Sequence, residues 1–180
     1  DLPALVETAR AANHPAGSAV GGDAIAHTAG GLGKTKALVP AQRVIPPPPG
    51  AAARLLDCTV GEVQADREAA ARRLAGMYHC IAVLKGRGTL IATPGGEVYH
   101  NPTGSAGLAK GGSGDILAGL LSGLLAAGLK QGRTAEDAAI AAVWLHGAAG
   151  DRCAKRLGMA AMLPHDIFAD LGAIFAELER

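Results

Sequence analysis

Residues 107–114 hold four glycines and run directly into an apolar stretch at 116–129, and this junction constrains the chain more than any other segment. Gly111, Gly112, Ser113, Gly114 and Asp115 stand where a loop becomes a helix. Glycines let backbone N–H groups converge on an anion, and the first turn of a helix adds unpaired amides and partial positive charge. Phosphate is the natural guest. An acid at the same helix start is placed to take a proton from a hydroxyl nucleophile, as phosphoryl transfer requires. The same residues also fit a plain glycine turn with Asp115 as an ordinary helix-start acid, and a motif this short does not choose between the two. The apolar run itself is shorter than the roughly 18 residues of a membrane span, so it is expected to be a buried helix.

The rest of the chain alternates between two periods. Leu2, Leu5, Val6 and Ala9 fall at helical spacing, and Asn13 and Pro15 end that pattern. Ala19 and Val20 lead into Gly21, Gly22 and Asp23, read as a strand end and a turn, while residues 30–36 are too rich in Gly and Lys for a core. A strand is expected at 43–45, followed by four prolines at 46–49 that form a rigid polyproline-like loop. Thr59 with Glu62 makes a capping box for one helix running to about Gly76. Short branched runs at 80–84, 89–93 and 97–100 then read as a hairpin or meander. Thr134 with Asp137 opens a helix through Ala148 and on toward Leu157, and Pro164 begins a last helix ending near Glu179. Strands among helices predict a layered α/β domain, with no internal repeat and no linker that would divide residues 1–180.

Composition narrows the function classes. Charged residues are 18% and hydrophobic ones 49%, which excludes a disordered tail. Aromatics are 3% and there are 26 glycines in 180 residues, so the core must be small and aliphatic, with backbones in close approach. A net charge of +1, without a basic run longer than Arg72-Arg73, argues against nucleic acid. Cys58, Cys80 and Cys153 form no CxxC pair, so they are expected to be buried thiols in a reducing, cytoplasmic setting. The six histidines lack zinc-ligand spacing, and neither Ser105 nor Ser113 sits in a GxSxG elbow. No metal site built from side chains is expected. Gly33-Lys34-Thr35 imitates a P-loop, but the glycine that motif needs is replaced by Thr28.

A second candidate site is Lys85, Gly86, Arg87, Gly88 and Thr89, a lysine at a strand end followed by a glycine-bearing turn. Lysine supplies a point charge for phosphate, and the glycines let a nucleotide lie close. A plain hairpin turn with solvated charges fits the same residues. Asn101-Pro102-Thr103-Gly104 is loop by its turn chemistry, and its proline removes it as a glycosylation acceptor.

The order and spacing of residues 83–89, 101–104 and 107–119, with Ala142-Val143-Trp144-Leu145-His146-Gly147 after them, resemble the ADP/ATP-dependent NAD(P)H-hydrate dehydratases. The resemblance covers most of the chain from about Arg43 onward and implies a ribokinase-like three-layer α/β/α sandwich. It further implies dehydration of (6S)-NADH or NADPH hydrate with ADP, or ATP in some members, as co-substrate, and with magnesium. Lys85, Gly86, Arg87, Gly88, Thr89 and Gly114 would then hold the nucleotide. Asp115 would bind the hydrated nicotinamide and activate its hydroxyl, and Gly111, Gly112 and Ser113 would form the anion loop. An NAD(P)H-hydrate epimerase, fused or separate, and a homo-oligomer are the partners it suggests.

Departures from the family pattern lie on the substrate side. Where the family has Thr-Pro-His-Pro-Gly-Glu this chain has Pro46-Pro47-Pro48-Pro49-Gly50-Ala51, so Pro48 and Ala51 replace the His and the Glu. The Asp-Ala-Asp-Ala-Leu-Asn block appears as Gly21-Gly22-Asp23-Ala24-Ile25-Ala26. The start at Asp1, without Met, leads to the expectation of a chain that begins mid-protein and lacks the N-terminal part of the family domain. A nucleotide-binding relative without turnover, and a vitamin-precursor kinase of the same superfamily, are the competing readings.

Overall fold

The computed structural model describes residues 2–15 and 43–179. The expected strand end and turn at 19–23, the Gly- and Lys-rich segment at 30–36, the P-loop imitation and the altered block at 21–26 lie outside them. Along the chain run α1 (Leu2–Ala12), β1 (His14–Pro15), β2 (Val44–Ile45), α2 (Pro49–Leu55), α3 (Val60–Ala65), α4 (Arg67–Tyr78), β3 (Ile81–Leu84), β4 (Leu90–Ala92), β5 (Val98–His100), α5 (Ser113–Lys130), α6 (Ala135–Leu157) and α7 (Ile167–Leu178). The strands form one sheet in the order β1-β5-β4-β3-β2, with β2 parallel to β3 and the other pairs antiparallel.

Every residue of β3 is buried because the sheet is covered on both faces. Successive side chains on a strand point to opposite sides, so Ile81 and Val83 join one core with Leu5, Leu117, Ile140, Leu145 and Ile174. Ala82 and Leu84 join another with Ala53, Leu56, Val63 and Leu74. Helices α1, α5, α6 and α7 thus lie on one side, α2, α3 and α4 on the other. The expected α/β layering is present.

Several expectations need correction. Pro49 does not belong to the loop: it is the first residue of α2, where its missing N–H would have had no partner. Nor do the prolines stand apart from the sheet, since the Pro47 carbonyl accepts from the Lys85 amide at 3.0 Å. The single helix expected from Thr59 onward is two. Asp66 leaves helical geometry at φ −141°, ψ 85° and caps α4 by accepting from the Ala69 amide, so a second N-terminus starts at Arg67. Helix α5 begins at Ser113 and is not buried: Leu117 and Leu121 pack inward, while a Cβ at Gly119 or Gly123 would meet open space. At eighteen residues it reaches the length of a membrane span, with Asp115 near its head and Lys130 at its tail. Cys80 and Cys153 are buried as expected, whereas Cys58 is half-buried; all three are free thiols.

The capping boxes form as the sequence predicts. Thr59 and Glu62 exchange bonds of 2.8 and 3.1 Å, and Thr134 and Asp137 bonds of 3.0 and 3.1 Å. Arg10 from α1 binds Glu136 and Asp137 in the first turn of α6, which holds the head of that helix against α1. Pro164 opens a 3-10 turn (Pro164–Asp166) rather than the last helix itself.

Helix α6 carries the site. Its Gly147 and Gly150 let neighbouring chain lie directly on its backbone: a Cβ at 147 would stand 2.7 Å from the Thr103 carbonyl carbon, and one at 150 would stand 2.7 Å from Leu108 Cγ. His146 reaches across to α5, its Nε2 lying 3.1 Å from the Ser113 carbonyl and 3.2 Å from the Ser113 hydroxyl. Burial, with Lys85 nearby, holds the His146 imidazole below its ordinary 6.5 despite the Ser113 bond.

Two outcomes follow from this packing. Gly147→Ala pushes a methyl into the Thr103 backbone, so thermal unfolding should show a loss of about 1–3 kcal/mol; an unchanged melting temperature contradicts the close approach. The unfolded chain protonates the His146 imidazole near pH 6.5 while the folded chain does so only at lower pH. Its contribution is therefore complete above that pH and is lost as pH falls below it. Melts between about pH 7 and pH 5 should drop more steeply for the native chain than for His146→Gln, and parallel curves would refute this.

Candidate functional site

Strand β3 ends at Leu84 and delivers Lys85 to the rim of a cavity of about 830 Å³, within the range of ligand sites. The turn that follows needs its glycines, since Gly86 and Gly88 adopt φ +140° and +63°. Thr89 closes it by donating from its hydroxyl to the Gly86 carbonyl at 3.1 Å. From α4, the Arg67 guanidinium donates to the carbonyls of Leu84, Lys85 and Gly88. The Asn101 amide donates to the Thr89 carbonyl, which joins this turn to the next wall of the cavity.

That wall is the 101–104 loop. Asn101 and Thr103 bond each other, Thr103 donates to the Trp144 carbonyl at 3.0 Å, and the Gly104 amide donates to Asp151 at 2.9 Å. Each bond fastens the loop to α6 or to itself. A 3-10 turn (Ala106–Leu108) then carries the chain to Lys110, whose ammonium donates to the carbonyls of Met159, Ala160 and Met162. Lys110 is thus spent on structure although it lines the cavity.

Helix α5 starts with Gly112 as its N-cap at φ +95°, which has no side chain to cap the first-turn amides. Lys85 comes here. Its Nζ lies 2.9 Å from the point where a Cβ at Gly114 would stand, so the two glycine-bearing segments, far apart in sequence, meet at one place. Among the described residues the Lys85 ammonium has no hydrogen bond or ion pair, and none of those lining the cavity is a carboxylate. An anion is the complement of such a site.

The expected site residues therefore divide. Lys85, Gly86, Arg87, Gly88, Thr89, Ser113 and Gly114 line one cavity; Gly111 and Gly112 shape the loop behind it. Asp115 is exposed and belongs to the wall of an adjacent apolar groove with Ile116, Leu120 and Phe168. It stands one residue from Gly114 but faces a second space. Pro48 lines the main cavity, and Ala51 does not. Sequence reasoning missed Arg67, Lys110 and His146 as site-building residues. The capping pattern around Asp66 was the only signal for the first, while Lys110 and His146 lay within the segments that carry the resemblance without being given a role.

A family model described as NAD(P)H-hydrate dehydratase matches residues 2–172. The chain is 48% identical over 120 residues to the ADP-dependent (S)-NAD(P)H-hydrate dehydratase of Neisseria meningitidis, covering 67% of this chain and 39% of that one. It is 43% identical over 137 residues to the bifunctional NAD(P)H-hydrate repair enzyme of Moorella thermoacetica, covering 76% and 25%. Among solved structures, the ADP/ATP-dependent NAD(P)H-hydrate dehydratase of Bacillus subtilis, co-crystallised with ATP/Mg2+, superposes with a TM-score of 0.68 at 31% identity, over 77% of this chain and 52% of that one. The chain spans well under half the length of those curated relatives and about half of the solved one. The ribokinase-like α/β fold expected from the motifs holds. With a match over nearly its whole length, and with the family's glycine-bearing segments brought together at Lys85 and Gly114, the chain belongs to the NAD(P)H-hydrate dehydratase family.

Proposed function

We propose that residues 1–180 act as one ribokinase-like nucleotide-binding unit of an ADP-dependent dehydratase that regenerates NADH or NADPH from its (6S) hydrate. The observation that carries this reading is the meeting of Lys85 Nζ with Gly114 at the head of α5. The phosphates of ADP rest on Lys85 and the head of α5, with the nucleotide along Gly86, Arg87, Gly88 and Thr89. At the boundary with the adjacent groove, Asp115 receives the hydrated nicotinamide. Its carboxylate takes the proton as the ring hydroxyl attacks the terminal phosphorus and AMP departs. The C–O bond then breaks, phosphate leaves with the bonding pair, and loss of a proton from the neighbouring ring carbon restores the double bond. Hydrate and ADP thus give NAD(P)H, AMP and phosphate.

No three His, Cys, Asp or Glu side chains converge among the described residues. A magnesium ion would enter with the nucleotide and be held through its phosphates. When bound it neutralises phosphate charge. The relatives named bifunctional support a working partnership with an NAD(P)H-hydrate epimerase, and the three free thiols fit a reducing cytoplasm.

One observation favours a second reading. Pro48, which offers neither donor nor acceptor on its side chain, lines the cavity at the position of the family His. Nucleotide binding without turnover is the outcome if that loss is decisive. Both are separated by incubating the chain with hydrated NADH, ADP and magnesium while following the nicotinamide absorbance, with ADP binding measured by calorimetry. Turnover supports the first reading, ADP binding without turnover the second, and no ADP binding refutes both. Asp115→Asn should lower turnover by about 10²-fold or more with ADP affinity nearly unchanged, whereas Lys85→Ala should weaken ADP binding by about tenfold; equal losses of affinity in both variants contradict the assigned roles.

A further inference from the structure

We propose that Arg67 is a positioning residue that fixes the nucleotide turn from behind, so that the turn meets a nucleotide already shaped. The inference rests on the reading of residues 85–89 as a nucleotide site. Arg67 is the first residue of α4, so the break at Asp66 is what brings its side chain under the turn. The guanidinium donates to the Leu84 carbonyl at 3.2 Å, the Lys85 carbonyl at 3.5 Å and the Gly88 carbonyl at 3.3 Å, as well as to Gln64 Oε1 at 3.2 Å. It gathers both ends of the turn onto one planar fork.

No carboxylate pairs with this half-buried guanidinium among the described residues. Burial pulls its affinity for the proton down, and its hydrogen-bond partners are the backbone carbonyls and the Gln64 side chain. A trans peptide points its C=O and N–H in opposite directions. With the Lys85 and Gly88 carbonyls drawn toward α4, the Gly86 and Thr89 amides turn away from Arg67, and both residues line the cavity. The same seat explains Gly86: a Cβ there would lie 2.8 Å from Arg67 Nη1 and displace the fork. Nη2 takes the Leu84 and Gly88 carbonyls while Nη1 takes Gln64 and reaches the Lys85 carbonyl, and a lysine has no second nitrogen to divide these partners.

The experiment compares the native chain with Arg67→Ala and Arg67→Lys by amide hydrogen exchange without ligand and by ADP–Mg2+ binding. Exchange at the Lys85 and Asn101 amides, which bond the Pro47 and Thr89 carbonyls at the two ends of the turn, should quicken by about tenfold in both variants, and ADP affinity should fall by about tenfold, while amides of β3 and β4 keep their protection. Uniformly faster exchange through the sheet, marking general destabilisation, would overturn the proposal. So would native behaviour of Arg67→Lys, which needs no variant that risks unfolding. If exchange at the turn responds to Arg67 but the native chain binds no ADP, the positioning role stands and the nucleotide reading falls. If the native chain binds ADP and neither exchange nor affinity responds, the nucleotide reading stands and the role of Arg67 falls.

Discussion

The close approach of the Thr103 backbone and the Leu108 side chain to α6 at Gly147 and Gly150 is the constraint on which the other parts of the site rest. With no Cβ at these positions, the 101–104 loop and the Leu108 turn lie directly on the helix, and the Thr103 hydroxyl reaches the Trp144 carbonyl. That contact sets one wall of the cavity. From the same stretch of α6, His146 meets Ser113 and places the head of α5. A larger residue at either glycine would lift the loop and the turn away together, because a packed interior transmits displacement rather than absorbing it.

On the opposite side the sheet contributes precision of a different kind. Strand β3 is buried on both faces and therefore held in register, so the place where Lys85 leaves it is well determined. Beyond that point the backbone has two glycines and no ladder, and side-chain bonds take over its support. Arg67 from α4 and the Thr89 hydroxyl supply them. Lys85 and Lys110 illustrate how context assigns roles to like charges: Lys110 is bound by three carbonyls, whereas Lys85 is left facing the α5 head. With that ammonium unpaired and no carboxylate on the wall among the described residues, the cavity is set up for a negatively charged ligand.

Much of this was legible in the residues. Both capping boxes, the short apolar strands and the glycine-bearing segments carry local signals, since hydrogen-bonding side chains, periodicity and positive φ act over a few residues. The family's nucleotide motifs were readable for the same reason. Other features were not. Pro49 reads as a helix breaker until α2 is seen to start on it, and Asp66 looks like one polar residue in a continuous helix until it is seen to cap a second one. The exposed flank of α5 was misread as buried because hydropathy reports composition and cannot say how much of a helix has a neighbour.

By itself the sequence determined most of the elements, the two loops rich in glycine and the residue types able to bind an anion, because these depend on short-range propensity and chemistry. Only the tertiary structure decided that Lys85 and Gly114 face each other and that Arg67 stands behind the turn. It also decided that Asp115 borders a second, apolar space rather than the main cavity. Those relations join residues 17 to 53 positions apart, from Arg67 and Leu84 to Asp115 and Phe168, through strand register, helix packing and the break at Asp66. Such distances are fixed by how whole elements pack, which no local pattern encodes.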